Sequence, residues 1–184
     1  MHTNAGDTHA AYNTDPPTSG PHFPTVPRRG TYAEPLATEF LPHFMEHAGV
    51  IVQYNSSASP AVVAKLKEIV KQELNRSSGL VLMAPRPAMP CQVALTAWQR
   101  IEVFGASKCQ PGWVGHELDP GSSKDIQLVK EFIERNQCAY DPENQCGSGQ
   151  HGDLKYPTLA PGQTTVVAGF TPQPATSPSA TPAR

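Results

Sequence analysis

Two short apolar runs with one amphipathic stretch between them decide most of what this chain can fold into. Val50-Ile51-Val52-Gln53-Tyr54 and Gly79-Leu80-Val81-Leu82-Met83 have the length and character of strands. Between them Val62, Val63, Leu66, Ile69, Val70 and Leu74 recur at helical spacing, with Lys65, Lys67, Glu68, Lys71 and Glu73 on the wet side. Ser59 is placed to cap that helix and Pro60 suits its first turn. A strand-helix-strand unit makes its two strands parallel, with a right-handed crossover, and the next strand is expected to pair antiparallel. That next strand reads as one long run from Val93 through Trp98 to Phe104. A last helix spans Lys124 to Asn136 and buries Ile126, Val129, Phe132 and Ile133. The expected fold is therefore α+β: two layers, a small mixed sheet with helices on one face and a long irregular N-terminal arm.

The arm follows from composition. Residues 1–40 show neither hydrophobic period, and the 184-residue chain carries 20 prolines and 14 glycines but only 16% charged residues. Such a balance builds long irregular loops around a modest core. Residues 1–146 are expected to form one domain, arm included, and 147–184 an irregular or disordered Pro/Thr/Ser-rich tail. A formal net charge of -2 favours neither nucleic acid nor an anionic membrane as partner. No apolar run approaches the ~20 residues that span a bilayer. Met1 is followed at once by polar residues, so it reads as the start of a truncated chain or of a mature chain whose targeting segment has been removed.

Four cysteines, Cys91, Cys109, Cys138 and Cys146, allow three pairings, and none forms a C-x-x-C pair. Cys138 and Cys146 bracket a short polar loop, and Cys91 and Cys109 flank a strand-like run. The expected pairs are Cys91–Cys109 and Cys138–Cys146, which place the protein in an oxidising compartment: periplasmic, secreted or at the cell surface.

The chemistry-bearing residues are histidines. His43 and His47 stand four apart in Pro42-His43-Phe44-Met45-Glu46-His47, one or two helical turns, so both imidazoles fall on one face and can converge on one ion. Imidazole suits zinc, copper and nickel. A third, His22, ends the rigid turn-rich run Pro16-Pro17-Thr18-Ser19-Gly20-Pro21. The plain alternative for such a pair is a solvated or packed helix surface. The segment also matches H-x-x-E-H, the inverted zincin pattern in which Glu46 would act as general base on zinc-bound water. Pro42 and Gly49 confine it to a helix too short for that context, so no enzymatic activity is expected.

These motifs carry a resemblance. The run Tyr12-Asn13-Thr14-Asp15-Pro16-Pro17-Thr18-Ser19-Gly20-Pro21-His22, then His43-Phe44-Met45-Glu46-His47 and Val50-Ile51-Val52, resembles the bacterial family called domain of unknown function 3105. Ala84-Pro85-Arg86-Pro87 and Ala94-Leu95-Thr96-Ala97-Trp98 follow in the matching order, and the likeness covers residues 9–136. Ala48 stands where that family usually has Gly, Met45 where it has Leu, and the cysteines and the tail are additions. His22, His43 and His47 fall on the family's motif histidines. The resemblance implies extracytoplasmic copper handling, with another copper-handling protein as partner.

On that basis the expected metal ligands are His22, His43, His47 and Met89. The last lies in Pro87-Ala88-Met89-Pro90, and its thioether would favour Cu(I), with zinc as second candidate. His9 is a further candidate, set against the alternative of a mobile residue. Glu46 is expected either to orient an imidazole or to be solvated. Met45 and Met83 read as core, and His2, His116 and His151 as surface. The competing non-enzyme reading is an interaction module whose histidines only hold the arm to the core.

Overall fold

The computed structural model describes residues 2–76, 79–141 and 146. The tail expected over 147–184, with His151, lies outside them. Strands β1 (Gly30–Thr31), β2 (Val50–Tyr54), β3 (Val81–Pro85), β4 (Val93–Ala97) and β5 (Arg100–Phe104) form one open mixed sheet in the order β1-β3-β2-β4-β5. Helices α1 (Leu41–Glu46), α2 (Pro60–Leu74) and α3 (Ser123–Asn136) pack around it. The fold is α+β, as the periodicity implied. β2 and β3 are parallel on either side of α2 in the chain, and β2 pairs antiparallel with β4.

Alternation along the strands splits the core in two. Val50, Val52, Val81, Met83, Val93, Leu95 and Phe104 face α2 and α3, where Val62, Leu66, Ile69, Val70, Val129, Phe132 and Ile133 are buried. Ile51, Leu82 and Ala84 point the other way and are covered by Leu41, Phe44 and Met45 of α1 and by Tyr32 of the arm. The two long helices share one face, and the arm with its short helix roofs the other. Glu73, expected on the wet side of α2, is buried instead and is held by Arg76 at 3.2 Å and Gln137 at 3.5 Å.

The run from Val93 to Phe104 is a hairpin rather than one strand. Ala97 pairs with Arg100, and Gln99 takes φ +55° in the two-residue turn. No Gly or Asn announces that turn, and the reversal is anchored from outside by the Gln99 N–H donating to Thr18 O at 3.0 Å. On its outer side β5 is followed by residues 112–114. The Val103 N–H donates to Gly112 O and the Val114 N–H to Val103 O, each at 3.0 Å. Arg135 of α3 reaches over to Glu102 at 2.9 Å.

Both expected disulfides are present, Cys91–Cys109 and Cys138–Cys146. The first closes a loop of sequence separation 18 around the fully buried Cys91, which packs with Met89, Ala94 and Val103. Cys91→Ser with Cys109→Ser is expected to cost about 3 kcal/mol, the loop-closure entropy returned to the unfolded chain. Denaturant midpoints of the oxidised protein and the double variant check this.

Helix α3 starts on a buried carboxylate. Ser122 Oγ accepts from the Asp125 N–H at 3.2 Å, and the buried Asp125 carboxylate accepts from Asp119 N–H at 2.9 Å and His116 Nε2 at 3.0 Å. Burial pushes the Asp125 carboxyl up, but the bonds from Asp119, His116 and Ser122 together outweigh it and hold it below the usual range. A depressed folded value means stability present above roughly pH 4 and lost as pH falls through the lowered value. Asp125→Asn is expected to cost ~1–3 kcal/mol near neutrality, with the gap to wild type shrinking toward pH 3. Urea midpoints across that range test it.

Candidate metal centre

The imidazoles are positioned by two local structures. In the arm, the Tyr12 hydroxyl donates to Pro21 O at 2.8 Å, and Asn13 Nδ2 donates to Thr18 Oγ1 at 2.8 Å while its Oδ1 accepts from Thr18 N–H at 3.3 Å. Gly20, at φ +131°, lies under the Tyr12 ring, where a Cβ would sit 2.9 Å from Cδ1. Arg86 Nε binds Asp15 Oδ1 at 2.7 Å and ties the loop to the end of β3. A segment without a hydrophobic face is thus folded by its own polar bonds and delivers His22 to the interior.

In α1, Leu41, Phe44, Met45 and Ala48 form the buried stripe, which leaves His43, Glu46 and His47 on the side facing the arm. The helix ends in a Schellman motif: the Ala48 N–H donates to Met45 O and the Gly49 N–H to Phe44 O, both at 3.1 Å, with Ala48 at φ +67°. Position 48 is thus left-handed, a conformation that glycine adopts without strain.

His22 and His43 are 1% and 5% exposed. His22 Nδ1 donates to Gly20 O at 2.9 Å, and His43 Nδ1 donates to Phe23 O at 2.6 Å. A carbonyl only accepts, so both rings carry the proton on Nδ1 and, when neutral, present a lone pair on Nε2. Burial lowers the His43 value, and the neighbouring His47 and His22 add to that, against the Phe23 carbonyl and Glu46. The ring therefore stays neutral at pH 7, the state a metal needs.

The third imidazole is His2. It makes a parallel bridge to His22, and the adjacent Thr3 N–H donates to His22 O at 2.8 Å. Its ring centroid lies 5.2 Å from that of His22 and 5.3 Å from that of His43. One nitrogen from each of His2, His22 and His43 falls within 4.8 Å of the others. Two ligands ~2.1 Å from one tetrahedral ion are about 3.4 Å apart, so nitrogens within 4.8 Å of one another need only a small side-chain adjustment to share an ion.

Of the expected ligands, His22 and His43 meet, their rings 4.8 Å apart. His47 stacks edge-on to His43 at 4.7 Å but is not in the set of three. Met89 packs with Cys91, Ala94 and Val103, a cluster separate from the one that α1 joins. His9 sits against Tyr12, ring centroids 4.9 Å apart, and 3.7 Å from Glu39 Oε1. Glu46 Oε2 lies 3.1 Å from His22 Nε2, without the alignment of a hydrogen bond. His2 is exposed, as expected, but its place beside His22 and His43 is not foreseen from the sequence. No motif marks it, and a backbone bridge brings it in.

Fold and site together define a small disulfide-bonded α+β protein with a histidine cluster between its N-terminal arm and its first helix. The chain belongs to the family described as protein of unknown function (DUF3105), which matches residues 2–147. There is no match among curated proteins and none among solved structures. Among the described residues no helix is long and apolar enough to cross a membrane.

Proposed function

We propose that the protein is an extracytoplasmic metal-binding protein that holds one ion on His2, His22 and His43 for storage, delivery or resistance, not for catalysis. The observation that carries this is the pair of buried imidazoles whose Nδ1–H groups are locked onto the carbonyls of Gly20 and Phe23, which leaves Nε2 as the coordinating nitrogen of each, in a set with His2 whose ligand atoms lie within 4.8 Å of one another. Carbonyl-oriented imidazoles are the usual support of metal-binding histidines. Copper is the favoured ion because its divalent form outranks zinc at nitrogen sites. With Met89 in a separate cluster the donors are imidazoles alone, so Cu(II) replaces Cu(I) as the favoured state, and Zn(II) remains second. The two disulfides support an oxidising compartment.

A second reading rests on the same ring contacts: His2, His22 and His43 pack edge to face and tilted, which is also how an arm is held to a core without metal. The two differ in a titration. Protein purified without a histidine tag is expected to take up one equivalent of Cu(II) or Zn(II) tightly at neutral pH, and His22→Ala to lose that stoichiometric uptake. Weak uptake without stoichiometry in the wild type leaves the arm-holding reading.

A further inference from the structure

A cavity of about 130 Å³ opens where the end of α1, the β4–β5 turn and the segment after α3 come together. Ala48 and Gly49 line it from the first, Trp98 and Arg100 from the second, Ala139 and Tyr140 from the third. No histidine lines it. Trp98 closes the run Ala94-Leu95-Thr96-Ala97-Trp98, a motif that the metal centre leaves unused.

Three properties of the lining select an occupant. The size is that of a single ring, since an apolar cavity of about 150 Å³ holds one benzene. The wall is aromatic. Trp98 and Tyr140 are stacked with ring centroids 5.1 Å and planes 8° apart, and Tyr140 is the large hydrophobic side chain left exposed among the described residues. The charge is single and positive. Arg100 is the one charged residue of the lining among the described residues. It is exposed, its Nη1 donates to Gln99 O at 3.0 Å, and it makes no ion pair among the described residues. A guanidinium fork without a protein carboxylate can take a ligand's carboxylate in its place.

We infer that this cavity binds a small aromatic carboxylate, one six-membered ring carrying one anionic group, independently of the metal-binding reading above. The ring lies among Trp98, Tyr140 and the small residues Ala48, Gly49 and Ala139, and the carboxylate accepts from Arg100. Neither half of that ligand suffices alone. A neutral ring leaves the guanidinium to water, and a small anion without a ring leaves the aromatic wall wet.

The test titrates the full oxidised chain with benzoate by calorimetry, in EDTA so that no ion on the histidines takes part. One equivalent is expected to bind with a Kd on the order of 1 mM, the strength open to so few atoms. Benzyl alcohol, the ring without the charge, and acetate, the charge without the ring, are each expected to bind at least about tenfold more weakly. Arg100→Gln is expected to weaken benzoate about tenfold and leave benzyl alcohol unchanged. Ala139→Leu, which puts a longer side chain into the cavity from an exposed position, is expected to abolish binding of both. In ¹⁵N spectra of the wild type, the Gly49 and Ala97 amides and the Trp98 indole should shift with one midpoint. No saturation by about 20 mM benzoate overturns the site. Equal binding of acetate or benzyl alcohol, or full benzoate affinity in Arg100→Gln or Ala139→Leu, overturns it as well. So do benzoate-induced shifts that spare Gly49, Ala97 and Trp98.

Discussion

His43→Ala is expected to weaken Cu(II) and Zn(II) binding by at least about 100-fold, whereas Met89→Ala leaves both unchanged. His43 contacts every other imidazole of the cluster, and its Nδ1 bond to Phe23 O at 2.6 Å leaves Nε2 as the nitrogen that can take an ion. Losing it removes a ligand and also the ring that packs against the other three imidazoles. The fold should survive, because the change forfeits one hydrogen bond and the packing of one buried ring, together roughly 2–4 kcal/mol, and no element of the sheet depends on it. Met89 is buried with Cys91, Ala94 and Val103, so its truncation opens a cavity there and costs stability without touching the imidazoles. Competition titrations against a chromophoric chelator, run beside thermal melts, separate the two effects. Retention of wild-type affinity in His43→Ala would sink the centre. Loss of affinity in Met89→Ala would return the thioether, and with it Cu(I), to the site.

The second large effect is structural and acts one turn away. Gly49→Ala is expected to cost about 2–3 kcal/mol and to weaken metal binding in the same protein. A Cβ at position 49 would fall inside van der Waals contact of the Phe44 ring and 2.8 Å from Phe44 O. Phe44 is packed against Ile51 and Leu82 and has nowhere to swing, and its carbonyl accepts the Gly49 N–H that closes the helix. The strain therefore passes into the last turn of α1, which carries His43, and into its C-cap, His47. Ala48→Gly, one residue earlier, should go the other way. Position 48 has φ +67°, where an alanine is strained by up to about 1 kcal/mol, so the change is expected to be neutral or stabilising. Thermal unfolding of the two variants, with opposite signs at adjacent positions, tests the capping geometry directly.

What the chain discloses in advance and what it hides have physical reasons. Ser59-Pro60 and the stripe from Val62 to Leu74 fix α2, because a cap and a 3.6-residue period are local signals. His22 and His43 are legible for a similar reason, since each ends or opens a motif with few conformational options. β1 is not legible: two residues, Gly30 and Thr31, have no period, and they become a strand only by pairing with Leu82 and Met83. The β4–β5 turn is hidden because Trp98-Gln99 lacks the residues that favour reversal, and the arm supplies the missing constraint. Met89 misleads through nearness in sequence to Trp98, which says nothing about which cluster the side chain enters. His2 escapes because its place depends on a single bridge between distant backbone segments.

The way the sheet is finished at its two sides limits how another protein can be met. At one side β1 is only two residues long, and at the other Val103 of β5 already exchanges main-chain bonds with Gly112 and Val114, while Arg135 lies across Glu102. Short, charged and covered margins are how natural sheets avoid templating one another. Recognition by adding a strand, which reads little of the visitor's sequence, is closed along β5. A protein that docks on that side has to be selected by its side chains, so discrimination between partners is built into the margin of the sheet itself.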